Sequence, residues 1–337
     1  MNAIVLEKPG CFAAVDRPDP GDPPPGMARV RVHRVGICGT DWHAYHGRQP
    51  FFSYPRILGH ELGVEIEAVN DPASPLRPGD RCAVEPYLNC GQCIACRRGR
   101  GNCCVNMQVM GVHLDGGMQE HILVPARKLH PGGSLAFEQL ALVETLAIGR
   151  HAVQRAGIEA GEQVLVLGAG PIGLSVLPFV AESGGQAIVA DISRQRLAFA
   201  RQHMNVAHTL EAGDDLPRRL TNLLGDLPTA VIDATGNPAS MMRCFDLVAP
   251  SGRIVFVGLF QGDVTFNDPN FHRRETTLLA TRNALATDFQ TIIRLIQQGR
   301  IDTTPWITHQ ADAADFPKVL PDWLAPDSSL LKAVLRF

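Results

Sequence analysis

An apolar run, a glycine turn and a second apolar run follow one another from Gln163 to Ala181, and few folds accommodate that order. Gln163-Val164-Leu165-Val166-Leu167 reads as a short buried strand, Gly168-Ala169-Gly170-Pro171-Ile172-Gly173 supplies G-x-G-x-x-G, and Leu174 to Ala181 suits a helix. The stretch approaches the length of a membrane span, but its glycines together with Pro171 and Pro178 argue for strand, turn and helix instead. Pro178 removes a helical hydrogen bond at a cost of about 3 kcal/mol unless the helix bends, so a kink near Leu174 is predicted.

Glycines at this spacing allow a tight turn and let a pyrophosphate approach the amides at a helix start. The motif alone is weak; its context strengthens it. A second strand, Gln186 to Ala190, ends in Asp191 at the ~20-residue distance where an acid accepts ribose hydroxyls. Such an acid repels a 2′-phosphate, which favours NAD over NADP, although Arg194 and Arg196 follow closely. Arg196 is counted with Gly168, Gly170, Pro171, Ile172, Gly173 and Asp191 as cofactor-binding. Further strands at 230–234, 253–257 and 276–280, with helical pieces between, give a doubly wound parallel sheet. The nicotinamide is expected at the strand ends, near Thr235, Val257 and Gly258.

At 337 residues the chain is long enough for two domains. Residues 1–127 are short β-prone pieces broken by Pro and Gly clusters, the pattern of an irregular β domain. Within it, Cys90, Cys93, Cys96 and Cys104 offer four thiols at spacings that suit a closed, tetrahedral structural zinc. Cys103 is the alternative fourth ligand. Cys38, His60 and Glu61 offer sulfur, nitrogen and oxygen with one position left open, as a catalytic zinc requires. Taken alone, a lone Cys and a distant His-Glu pair are more often structural. Glu144, in the helix-compatible stretch 137–155, faces either solvent or a metal.

A formal charge of −3, with no basic run, speaks against a nucleic-acid partner. The N-terminus lacks a secretory pattern, and nine clustered cysteines point to metal in a reducing, cytoplasmic setting, with no membrane partner expected.

With both cysteine sets and the glycine turn in view, the chain resembles the zinc-dependent medium-chain dehydrogenase/reductase family over almost its whole length. The resemblance implies an α/β architecture. A GroES-like β-rich catalytic domain, residues 1–146 with 284–337 returning to it, would flank a Rossmann NAD-binding domain, residues 147–283, with the active site in the cleft. It implies catalytic-zinc ligands Cys38, His60 and Glu61, with Glu144 binding the zinc or its water, and a structural zinc on the four thiols. Thr40 stands where the family has a proton-accepting hydroxyl, Asp41 where it has the carboxylate behind the histidine ligand, and His43 could extend the proton path.

The likeness is greatest to the polyol and sugar-acid branch, which includes sorbitol and threonine dehydrogenases. Gln49 to Glu61, Gly111 to Gly117 and Phe271 to Thr277 look like bacterial L-galactonate and L-gulonate 5-dehydrogenases. That implies NAD-linked oxidation at C5 of such a sugar acid, with a polyol or L-threonine as alternatives and a non-catalytic nucleotide-binding module as a remote one. Arg282, best placed by family position, His113 and Arg48 are the candidates to meet the substrate's carboxylate, and Asn283 is counted with Arg282 and His113 as substrate-binding. A dimer or tetramer is expected by analogy. One departure is Glu144-Thr145, where these relatives usually have Glu-Pro, which leaves the aim of the carboxylate open.

Overall fold

Four consecutive buried residues, Val164 to Leu167, set the centre of a six-stranded parallel sheet. In the computed structural model, which describes residues 1–49, 52–325 and 328–337, the strand order is His208–Glu211, Gln186–Asp191, Gln163–Leu167, Ala230–Asp233, Arg253–Phe256, Thr277–Ala280. Pro50 and Phe51, within the stretch likened above to sugar-acid dehydrogenases, lie outside the described residues. Both faces of the central strands must be covered, because a parallel sheet is closed by crossover helices. Leu216, Leu220, Met241, Phe245 and Leu247 cover one part, packing on Leu165, Ile188, Val231 and Ile254.

The first and second central strands pair in register, Gln163 with Gln186 and Leu167 with Ala190. This alignment brings the glycine turn level with Asp191. The helix Pro171–Glu182 begins on an extended Gly170 cap with proline at its first position, where a missing N–H costs nothing. It continues through Pro178 as one element. His208–Glu211 is a strand that alternation did not reveal: it is short, polar and at the sheet edge, so it has one neighbour to pair with and little to bury.

Residues 1–144 and 285–337 form a second compact unit, distinct from 145–284; the division falls inside the helix Phe137–Ala156. Its hub is the long strand Met27–Ile37. Ala28, Val30, Val32 and Val35 are fully buried along it. The strand pairs with Glu61–Asn70, with His121–Pro125 and, near its end, with Lys332–Arg336. Register shifts between Arg29 and Val30 and between Val32 and Arg34 raise its twist, as bulges do. Gly36 thereby sits opposite both Glu61 and Val334, so residues far apart in sequence meet where the strand ends. Among the described residues no helix is long and apolar enough to cross a membrane.

Candidate metal centres and cofactor turn

The sulfur atoms of Cys90, Cys93, Cys96 and Cys104 all lie within 4.8 Å of one another. They hang on a loop-rich lobe carrying the short helix Ile94–Arg97 and the turn Gly101–Cys103. The Cys90 amide donates to Cys104 Sγ at 3.3 Å, and all four thiols are free of disulfides. Backbone N–H groups of Cys96 and Val105 lower the Cys93 thiol to about 6, which favours the thiolate form that a metal takes. Four sulfurs converging without another ligand type suit a closed zinc site. Cys103 is exposed and outside this set.

A different centre stands at the end of Met27–Ile37. Cys38 caps the helix Gly39–Tyr45, and its amide donates to Asp41 Oδ2 at 2.8 Å, which fixes the first turn that carries Thr40. Gly59, at φ +94, turns the chain so that His60 and Glu61 follow at the start of the neighbouring strand. One ligand atom each from Cys38, His60 and Glu61 lies within 4.8 Å of the others. Gly36 makes room for this: a Cβ there would lie 2.1 Å from Glu61 Oε2.

Three features of this set fit a metal. Its donors are the sulfur, nitrogen and oxygen that zinc accepts. His60 Nδ1 and Asp41 Oδ1 are buried, face each other at 3.8 Å and have no hydrogen-bond partner, the arrangement that becomes an N–H···O contact once the other ring nitrogen is taken by an ion. The neighbourhood is also unusually acidic for an interior. Burial raises the carboxyls of Asp41 and Glu144, and although burial opposes charge on His60, the Cys38 sulfur and the Asp41 and Glu144 carboxylates hold its pKa well above the usual value.

Two members of this centre escaped the sequence reading. Lys332, 1 % exposed, donates to both Glu61 oxygens at 2.6 and 2.7 Å and to the Ile37 carbonyl at 3.3 Å. Its signal was a lysine inside the apolar run Leu330 to Leu335. Tyr87 is buried and its hydroxyl donates to Glu144, which lies outside the three-residue ligand set. Nothing in the spacing of Tyr87 marked it. Of the other expected residues in this unit, Thr40 is half-buried, while His43 and Arg48 are exposed. The Val109 amide donates to His113 Nδ1 at 3.0 Å, which makes that ring a brace for its own turn.

The glycine turn and the remaining expected residues belong to the other unit. Gly168 has φ +94, and a Cβ on Gly173 would lie 1.7 Å from the Gly168 carbonyl, so only glycine allows helix and turn to touch here. Asp191 accepts from the amides of Ala169 at 2.6 Å and Ser193 at 2.7 Å, which ties the turn to the second strand. Arg196 Nη1 would be 3.7 Å from a Cβ on Gly170, directly over the turn. Thr235 donates its amide and hydroxyl to Asp233 at 2.9 and 2.8 Å, and a Cβ on Gly258 would lie 2.2 Å from the Gly236 amide. Two strand-end turns are therefore stacked with backbone exposed, and Val257 is half-buried beside them. Arg282 is exposed and Asn283 half-buried just after the last strand.

Comparison with known proteins gives this geometry a context. Residues 24–134 match the alcohol dehydrogenase GroES-like domain, and residues 171–298 match the zinc-binding dehydrogenase family. The chain is 40% identical over 340 residues to L-galactonate-5-dehydrogenase of Escherichia coli K12, covering 100% of this chain and 99% of that enzyme. It is 32% identical to 2-dehydro-3-deoxy-L-galactonate 5-dehydrogenase of Pseudoalteromonas atlantica, covering 87% of each. A short chain alcohol dehydrogenase (rspB) of E. coli CFT073, solved in complex with NADH, superposes with a TM-score of 0.93 at 30% identity, covering 100% of this chain and 99% of that one.

Proposed function

Because this chain belongs to the zinc-binding medium-chain dehydrogenase family, we propose that it oxidises a secondary hydroxyl of a sugar acid, C5 of L-galactonate or L-gulonate, and passes the hydride to NAD. It is an oxidoreductase of zinc-dependent type. The observation that carries the reading is the buried convergence of Cys38, His60 and Glu61, in a chain 40% identical end to end to an L-galactonate dehydrogenase.

In this reading a bound zinc supplies a Lewis acid that lowers the pKa of a coordinated hydroxyl. Cys38, His60 and Glu61 would hold it, and Asp41 Oδ1, 3.8 Å from His60 Nδ1, would fix the ring by accepting from that nitrogen once the contact closes. Thr40 Oγ1 takes the substrate proton, and His43, three residues along the same helix and exposed, hands it to solvent. Lys332 offsets the Glu61 charge, so that negative charge on the substrate oxygen meets less repulsion. Before substrate arrives, Glu144 would accept a hydrogen bond from water at the open position; the substrate's own proton goes to Thr40. The amides at the start of Pro171–Glu182 receive the pyrophosphate, with Arg196 above them, and Asp191 faces the ribose and disfavours a 2′-phosphate. Arg282 and His113 are the groups to meet the substrate's carboxylate. A homodimer or tetramer, working in the cytoplasm, completes the proposal.

The test is NADH formation by the purified protein with L-galactonate, L-gulonate, sorbitol, L-threonine and ethanol, each with NAD and with NADP. The largest kcat/KM is expected for a sugar acid with NAD. If ethanol or L-threonine exceeded both sugar acids, the substrate assignment would be wrong.

A further inference from the structure

Tyr87 sits where its hydroxyl has one direction to point. Its short strand, Tyr87–Leu88, pairs with Gln108–Val109, which fixes the backbone. Its ring stands edge-on to Phe289 at 6.3 Å and 74°, and Phe289, fully buried, is itself stacked on His130 at 5.0 Å. His130 Nε2 lies 3.1 Å from Glu85 Oε2, and Glu85 also pairs with Lys128, so the wall behind the tyrosine is rigidly bonded. The phenol O–H therefore delivers its hydrogen bond to Glu144.

Glu144 is the one buried carboxylate near Cys38, His60 and Glu61 whose place relative to a metal is undetermined by the ligand geometry. It is 5 % exposed, and the charges of His60, Glu61 and Lys332 act on it, yet it is not among the atoms within 4.8 Å of one another. A zinc held by three protein ligands has one position left, and a carboxylate on a flexible stem could fill it and exclude substrate. The helix backbone does not prevent this: Phe137–Ala156 is continuous through Glu144 and Thr145, which fixes the stem but not the torsions that aim the carboxylate. What restrains Glu144 is its side-chain partner.

We propose that Tyr87 is a positioning residue that holds Glu144 beside the metal formed on Cys38, His60 and Glu61, so that the fourth coordination position stays open to the substrate hydroxyl. The inference rests on the metal assignment above and not on the choice of substrate. Tyr87 occupies one Glu144 oxygen and leaves the other to accept from water at the open position before substrate arrives. Without the phenol oxygen, Glu144 would turn and become a fourth ligand.

The experiment compares wild type, Tyr87→Phe, Glu144→Gln and the double variant, each prepared both as the zinc form, for metal release and turnover, and with cobalt(II) in the catalytic site, for spectra. Tyr87→Phe is expected to shift the cobalt ligand-field bands, to slow zinc release to a chromogenic chelator about tenfold, and to lower kcat about tenfold with KM for NAD unchanged. In the Glu144→Gln background the same replacement should change none of these. The proposal is overturned if Tyr87→Phe leaves the bands and the release rate as in wild type, whatever happens to its melting temperature, or if it shifts them equally when Glu144 is already glutamine. Cobalt spectra and zinc release are read without substrate, so inactivity toward every sugar acid would overturn the substrate assignment and leave this result standing.

Discussion

In the cysteine lobe, four identical donors come from residues 90–104, three of them half-buried, with backbone N–H groups as their main support. In the other centre, three unlike donors come from two distant segments, residues 38 and 60–61; His60 and Glu61 are buried, and Asp41, Lys332, Tyr87 and Glu144 surround them. The contrast is between a site closed by its own ligands and a site closed by neighbours of its ligands. A four-sulfur set has no use for a second layer, because every position is filled. A three-donor set must be kept from collapsing onto its spare position, and the surrounding charges and hydrogen bonds do that.

The largest effect separates the two centres directly. His60→Ala should reduce turnover by about 10³-fold or more, since a metal's charge stabilisation is lost, while one zinc remains bound per chain. Metal analysis beside NADH formation checks this; two zinc ions with low activity, or none with full activity, would break the comparison. Cys93→Ser should do the converse: it loses the lobe's ion and lowers the melting temperature, because structural zinc contributes folding energy, while cobalt bands of the Cys38 centre persist.

Lys332→Met sharpens the claim that neighbours close the second site. The replacement leaves Glu61 buried without its counter-charge, and breaking such a pair costs about 3–5 kcal/mol, measurable by urea unfolding of the metal-free protein. A loss within 1 kcal/mol would mean that the pair does little. Asp41→Asn should weaken zinc binding about 10–100-fold, because the carboxylate's charge is lost and the single amide oxygen cannot accept from both the Cys38 N–H and the His60 ring. The smallest effect is for Cys103→Ser, which should retain both ions and wild-type activity, whereas Cys104→Ser loses the lobe's zinc.

The same contrast explains what could be read from the sequence. A local site writes itself as spacing: the four thiols and the glycine turn each lie in one short stretch, and the α/β fold class follows from the order of apolar runs around Gly168 to Gly173. Lys332 stood out only as a lysine in an apolar run; its partner could not be read, because Lys332–Arg336 lies against Met27–Ile37, a pairing nearly 300 positions apart in the chain that no local pattern encodes. Tyr87 was invisible for a related reason. It opens a strand of only two residues, and its role is set by the rotation of the helix that carries Glu144. The edge strand His208–Glu211 and the helix Gly39–Tyr45 were missed because polar edges and short capped helices carry little apolar periodicity. Asp41 was read from family position alone, and the structure adds that it also caps Cys38.

Stepwise removal of zinc with a chelator, following metal content and NADH formation on the same samples, tests the central claim most directly. The open centre should release its ion first and all activity should vanish with that first equivalent, while the lobe's ion and the fold persist. If the first equivalent left with activity intact, the Cys38, His60 and Glu61 centre would not be where the chemistry occurs.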